Sequence, residues 1–328
     1  MVIATDKNGN EIGFLDFQQA DIDANEEMDF EICVSARKFD EKKMKKNNRI
    51  FVPETEFGGI IKRHITNTDN DTVTLAGRTW RGYLASKYVK PPAGSAYKIV
   101  NGDLHAVTRD LVEECGLSSL FSIEAESGVE INGYRVSRYA SLLDVLTDMY
   151  YTTGRRIDIS YRQGEEGNPG FVHLSSVPIK DFSETIEMSQ DNKLNFVCET
   201  AEDSINHLIC LGKGELESRV VIDLYVQQDG SIGRKKYFSN LDEFEEVYEN
   251  VNAENDVLIQ EGEKKLKELY EKNNYFSMNI DTLTFDANIG DIVGGRDYIS
   301  DTKMAKPIKN KIYKEEYGTH KVEYKLEE

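Results

Sequence analysis

The chain has 328 residues, with 40 basic against 59 acidic side chains and a formal net charge of −19, and its length suits about two domains of roughly 150 residues each. Its 39% hydrophobic and 30% charged residues describe a globular sequence; no run approaches the roughly 18 apolar residues of a bilayer-spanning helix, and Met1 to Asp6 lacks the basic and apolar regions of a secretory signal, so synthesis and folding in cytoplasm are expected. The acidity argues against a general nucleic-acid binder, which needs Lys and Arg to displace phosphate counterions.

The first hundred residues read as strands. Val2 to Thr5 and Glu11 to Leu15 flank Asn8-Gly9, a dipeptide that predicts a type I′ hairpin because both residues accept positive φ. Asp29 to Val34 alternates polar and apolar positions, Ile50-Phe51-Val52 is a short apolar run, and Gly59 to Ile65 is spaced to pair with Thr72 to Ala76. The basic, turn-rich stretch Arg37 to Arg49 reads as an exposed loop. Short strands at this spacing predict a small antiparallel barrel over residues 1–100. Near its end, Gly77-Arg78-Thr79-Trp80-Arg81-Gly82-Tyr83-Leu84 reads as a strand leading into a short helix, followed by Lys87, Val89 and Pro91 to Tyr97. Trp80 and Tyr83 at such a corner are most simply core anchors.

The period then changes. Leu104, Val107, Leu111 and Cys115 share one face of a helix that Asp103 can cap and Gly116 can end. Ser141 to Asp144 is a capping pattern opening a second helix that stops before Gly154. Strands at Arg156 to Tyr161 and Phe171 to Leu174 follow, so residues 101–190 form an inserted α/β segment.

Strand patterns resume at Asn195 to Glu199, Asn206 to Leu211 and Arg219 to Val226, with a tight turn at Asp229-Gly230. Asp242 to Lys272 is helical in composition, with Val257, Leu258, Leu266, Leu269 and Tyr270 for packing and a solvated face of Glu and Lys. In Ile289-Gly290-Asp291-Ile292-Val293-Gly294-Gly295, a turn opens a strand at Ile292 that the glycine pair breaks; Lys306 to Tyr313 and His320 to Leu326 then flank Tyr317-Gly318-Thr319. Residues 191–328 are therefore expected to be a second barrel with a charged helical insertion. The fold class expected is α+β, mainly β: two small β-barrel-like domains with an inserted α/β segment.

The N-terminal strand pair, the Gly77-Arg78-Thr79-Trp80 segment, the inserted helices and strands, and the closing Ile289-Gly290-Asp291-Ile292-Val293 together resemble the tail hub proteins of bacteriophages and prophages. That family includes baseplate hub proteins and the N-terminal structural region of tail-associated lysins in phages of Gram-positive bacteria. One departure is Lys87, where many relatives carry Arg; a Lys does not reproduce a bidentate guanidinium contact. The resemblance implies a homotrimeric ring at the distal end of a virion tail or related injection machine, assembled in the bacterial host cytoplasm. Two barrels per subunit would give six modules, which lets a threefold ring meet a sixfold tail tube. The implied partners are a distal tail or tail-tube protein, tip or spike proteins and a tape-measure protein, with no specific nucleic-acid binding and no transmembrane segment. The acidity would let a channel wall repel passing DNA, or would serve solubility alone.

Chemistry-bearing patterns are sparse. Cys33, Cys115, Cys198 and Cys210 are widely spaced, with no Cys-x-x-Cys and no His at metal-ligand spacing, which indicates neither a zinc site nor a disulfide scaffold. Asp21-x-Asp23-x-Asn25 begins like a calcium loop, but Glu26 stands where Gly is needed and Ile32 where the final Glu belongs. Phosphate-binding, zinc-protease and nucleophile-elbow motifs are missing. His64, His105, His173, His207 and His320 are far apart in sequence, and Cys198 or Cys210 with His207 reads as a buried strand pattern rather than a nucleophile and base. No catalytic, cofactor-binding or metal residue is assigned, and the protein is expected to be structural and not an enzyme. The alternatives are the structural portion of a tail-associated cell-wall hydrolase, for which a separate hydrolase domain would follow, or a carbohydrate-binding receptor module, for which no aromatic platform is evident.

Overall fold

A computed structural model describes the chain apart from residues 165–167, 184–186, 189–194, 200–202, 229, 272–274, 281–286, 298–301 and 327–328, and for 187–188, 195–199, 271, 275–280, 297 and 302–304 it describes the backbone alone. The architecture is α+β and mainly β. The chain divides into two compact units, one of Met1–Leu194 with Asn279–Leu326 and one centred on Asn195–Met278.

The larger unit opens with β1 (Ile3–Thr5), β2 (Glu11–Phe14), β3 (Gln19–Asp23), β4 (Asp29–Ser35), β5 (Arg49–Phe51), β6 (Gly58–Asn67) and β7 (Thr72–Thr79). In β4 the alternation is realised: Phe30, Ile32 and Val34 are buried while Glu31 and Cys33 turn outward. The strands β6 and β7 pair, as expected, antiparallel, with Ile65 opposite Thr74 and a bulge between Ile61 and Arg63. Gly77 lies opposite Ile61, and a Cβ there would come within 2.0 Å of the Ile60 carbonyl oxygen. Close backbone approach, not positive φ, is what requires glycine in the Gly-Arg-Thr-Trp segment.

Helix α1 (Trp80–Ala85) follows, capped by the Thr79 hydroxyl, which accepts from the Gly82 N–H. Then come β8 (Lys98–Asp103), α2 (Leu104–Glu114), β9 (Phe121–Ile123), β10 (Glu130–Val136), α3 (Leu142–Tyr151), β11 (Arg155–Arg162) and β12 (Phe171–Pro178). The Asp103 side chain accepts from the His105 and Ala106 N–H groups at the start of α2, and Ser141 from Asp144 at the start of α3, so both predicted caps are made. Gly116 and Gly154 adopt φ of +71° and +68° just past the two helices, as the left-handed C-terminal turn requires. Trp80, Leu104, Leu111, Leu146, Tyr150 and Tyr161 are fully or almost fully buried in one continuous core, which joins this segment to β1 and β5 through Ile3 and Phe51. Burial of Trp80 agrees with its reading as a core anchor; Tyr83 packs half-buried against the same core.

The smaller unit contains β14 (Asn195–Glu199), which follows β13 (Glu187–Met188), and then β15 (His207–Leu211), β16 (Val221–Val226), β17 (Ile232–Gly233), β18 (Glu245–Glu249) and α4 (Asn255–Glu271). The sheet order is β17-β16-β15-β18, with β15 and β18 parallel. Leu208, Cys210, Ile222, Leu224 and Val226 pack against Leu258 and Leu266 of α4. Gly262 permits this close approach, since a Cβ there would lie 2.5 Å from the Cys210 Sγ.

The last strands are β19 (Tyr275–Ile280), β20 (Ile292–Asp297), β21 (Thr302–Glu316) and β22 (Thr319–Leu326). In the larger unit β21 pairs with β3 and β22, so the sheet order β2-β1-β5-β6-β7-β4-β3-β21-β22 joins the two ends of the chain. The path is open, and no closed barrel is found among the described residues.

Several local expectations are corrected. Within the turn of the first hairpin, residues 6–10, only Gly9 has positive φ (+99°); Asp6 organises this five-residue turn by accepting from the Asn8 and Asn10 N–H groups, so it is an Asx-type turn and not type I′. Within Arg37 to Arg49, Met44, Asn48 and Arg49 are buried: Asn48 donates to the Lys42 and Lys43 carbonyls, and Arg49 donates to Gly170 and Lys7. Gly294 and Gly295 lie inside β20 and do not break it; a Cβ at Gly294 would meet the Ser183 backbone at 2.8 Å. Residues 245–249 form β18, and helix starts only at Asn255. At the predicted Asp229-Gly230 turn, Gly230 has φ of +80° while Asp229 is outside the described residues. The end of the expected helix at Lys272 is outside them too. At Tyr317-Gly318 both residues have positive φ, +47° and +83°, the geometry of a type I′ turn.

Candidate functional site

One face of the four-stranded sheet in the smaller unit packs on α4. Residues at alternate positions point to the other face: His207, Ile209 and Leu211 on β15, Val221, Asp223 and Tyr225 on β16, and Glu245, Val247 and Glu249 on β18. The pairing places His207 directly between Tyr225 and Glu245. Val221 and Val247 are more than half exposed, so this face combines an apolar patch with a polar cluster.

The polar cluster centres on His207, which is 5% exposed. Its Nε2 lies 2.9 Å from Oδ1 of Asp223, its Nδ1 lies 2.9 Å from Oε1 of both Glu243 and Glu245, and its ring stacks on Tyr225 with centroids 4.3 Å apart. Glu243 and Glu245 are two apart and reach the same side of the chain entering β18. The Lys236 ammonium donates to Glu243 Oε2 at 2.5 Å and holds that carboxyl below its ordinary pKa, against a smaller opposing effect of desolvation. Spacing did not reveal this cluster, because 36 residues separate His207 from Glu243 and only the parallel β15-β18 pairing closes the gap. The legible signal was Glu243-x-Glu245 at the head of an alternating strand.

Cys210 and His207 do not come together as nucleophile and base. Cys210 is an odd number of residues from His207, so the two side chains leave opposite faces of β15; Cys210 points toward α4, and burial pushes its thiol up to about 11. The Cys198 side chain is outside the described residues. The other histidines are engaged separately: His64 with the Met44 carbonyl, His105 with Ser176, His173 with Glu124, and His320 stacked on Tyr313. Asp23 does not open an ion loop, since its Oδ1 accepts from the Glu26 and Glu27 N–H groups and its Oδ2 from Asn310 Nδ2.

In the larger unit, the outer face of β3 and β4 is acidic. Asp21, Asp23, Glu27, Asp29 and Glu31 line a shallow groove of about 720 Å³, with Lys314 and Lys325 on its far side. Partial burial raises the pKa of Asp21 despite Lys314 opposite it, and burial together with Glu31 raises that of Asp29. Behind the sheet, Glu56 and Arg81 form a buried ion pair at 2.9 Å with Lys311 at 3.8 Å; burial works against the Glu56 charge, but these cations hold its pKa below the ordinary value. Among the described residues no helix is long and apolar enough to cross a membrane.

No family model and no curated protein sequence matches the chain. Solved structures do. The 43 kDa tail protein of prophage MuSo2 from Shewanella oneidensis is similar at a TM-score of 0.61 and 11% identity, covering 99% of this chain and 98% of that one. The prophage tail protein gp18 from Listeria monocytogenes gives a TM-score of 0.54 at 14% identity, covering 99% and 93%. A tail protein from Neisseria meningitidis gives 0.54 at 13%, covering 100% and 96%. The chain therefore has the fold of phage and prophage tail proteins, the family its sequence resembles.

Proposed function

We propose that this protein is a structural hub subunit of a phage tail tip or baseplate, or of a related injection machine, and not an enzyme. The observation that carries the reading is a fold shared with three tail proteins over at least 99% of this chain and at least 93% of each of theirs. Three copies would form a ring joining the tail tube to the distal tip, with distal-tail, tip and tape-measure proteins as neighbours. The terminal regions 1–100 and 191–328 would act as the two barrel-like modules of each subunit, and 101–190 as the peripheral brace.

The charge supports the axial placement of one face. If the Asp21, Asp29 and Glu31 side of β3 and β4 lines the passage, DNA phosphates meet repulsion and are not retained. The exposed Val221 and Val247 face of the smaller unit suits a contact within the assembly, since apolar surface gains by burial.

Quantitative mass spectrometry of purified particles tests the reading. Three copies per particle are expected, half the number of subunits in a sixfold ring, and absence from the particle would refute it. Incubated with purified cell wall, the protein should release no fragments. Release abolished by one Cys, His or carboxylate substitution would replace the hub reading with the hydrolase one.

A further inference from the structure

We propose that His207, Glu243 and Glu245 bind one divalent transition-metal cation of the zinc class, with Asp223 as the carboxylate that orients the imidazole. The proposal does not depend on the tail-hub reading.

Proton placement leads to it. The Asp223 carboxylate can only accept, so the 2.9 Å contact puts a hydrogen on His207 Nε2. In the neutral ring that leaves the Nδ1 lone pair facing Oε1 of Glu243 and Oε1 of Glu245, each 2.9 Å away. Three electron-pair donors thus converge on one point, each within 4.8 Å of the others. A proton on Nδ1 would serve Glu245, to which the hydrogen-bond geometry is good, but not both carboxylates. Glu243 Oε1 is a buried oxygen that shares this Nδ1 at 2.9 Å and makes no well-formed hydrogen bond, in a cluster whose imidazole is itself almost fully buried. Such an oxygen costs free energy unless something satisfies it.

Charge points the same way. Among the described residues, the one Lys or Arg ion pair these three carboxylates make is Glu243 with Lys236, which leaves two negative charges on the cluster. A divalent ion neutralises them, whereas a proton on the ring leaves one. The donor set of one imidazole nitrogen and two carboxylate oxygens suits zinc and its first-row neighbours better than calcium or magnesium, which prefer all-oxygen sites. Tetrahedral ligand atoms at roughly 2.0–2.2 Å from zinc sit about 3.4 Å apart, so binding requires both Glu243 and Glu245 to draw back slightly from Nδ1, the larger share falling to the half-exposed Glu245 side chain. The hydrogen bond from Nε2 to Asp223 is the outer-shell contact that metal-bound histidines commonly make, and it fixes the tautomer that presents Nδ1. The ion would clip the start of β15 to the segment entering β18.

The test is calorimetric titration of zinc chloride into the full chain at pH 7 after chelator treatment and dialysis, with magnesium chloride as control. One zinc per chain with a dissociation constant below about 10 μM is expected, with no comparable magnesium binding. Glu245→Gln should weaken it at least tenfold, and Asp223→Asn by about 10 to 100-fold. Both side chains are about half exposed, so these variants remain informative even where His207→Gln or Glu243→Gln fails to fold. Weaker binding by the native chain, or affinity unchanged in Glu245→Gln and Asp223→Asn, overturns the proposal.

Discussion

Arg156 and Asp291 form a buried ion pair across 135 residues of sequence, with Nε 2.8 Å from Oδ1 and the Asp291 side chain wholly inaccessible. Asp291 also accepts from the Lys180 N–H through Oδ1 and from the Asn288 N–H through Oδ2. The aspartate of the Gly-Asp-Ile-Val segment thus fastens the closing β20-β21 hairpin to β11 of the inserted segment. Asp291→Ala should destabilise the larger unit by about 3–5 kcal/mol, because it leaves Arg156 buried without its main partner. Denaturant unfolding measures this, and a loss below about 1 kcal/mol would show the pair to be incidental.

Asp103 gives a pH dependence. Burial opposes its charge, but the Ser127 hydroxyl and the backbone N–H groups of His105, Ala106, Ser127 and Gly128 all donate to it and lower its pKa to about 2. Because the folded value lies below the unfolded one, its contribution is complete above about pH 4 and fades as pH falls toward 2. The carboxylate is only part-buried, so solvent screening leaves the cap worth about 1 kcal/mol. Asp103→Asn should flatten this part of the stability profile between pH 4 and 2; an unchanged acid limb would show that Asp103 does not contribute to it.

Gly77→Ala should cost at least 2 kcal/mol, since its Cβ would meet the Ile60 carbonyl carbon as well as the oxygen, and backbone cannot yield as a side-chain end can. Gly318→Ala, at a turn with open space and φ of +83°, should cost only about 1 kcal/mol. Equal costs would contradict the close-approach account of Gly77.

Trp80 is the single tryptophan of the chain, fully buried, and it stacks on Tyr161 at 5.8 Å between centroids. Its emission should be blue-shifted and resistant to acrylamide in the folded protein, and should shift red when the larger unit unfolds. Free access of the quencher at neutral pH would contradict the core assignment. Trp80→Ala should cost about 3–5 kcal/mol.

What could be read from the sequence was local. Asp103 and Gly116 bracket α2, Ser141 and Gly154 bracket α3, and the alternation in Asp29 to Val34 sets a strand, because each of these depends on neighbours a few residues away. The long-range pairings were not legible. Nothing near Ile312 announces that it pairs with Asp23, so the β3-β21 pairing that sets strands of the two terminal regions side by side was not legible. Glycine misled at Gly294 and Gly295, where backbone proximity rather than a turn explains the residue. The His207 cluster stayed hidden because an antiparallel and a parallel pairing of β15 together assemble it from three separate stretches of chain.

Electron microscopy of the assembled particle would show whether this chain is the proposed hub subunit around the axis of a tail tip. Three copies related by threefold symmetry in the axial wall are expected, with the Asp21, Asp29 and Glu31 face toward the passage. Density placing the chain outside the axial ring, or in a number of copies incompatible with a threefold ring, would contradict it.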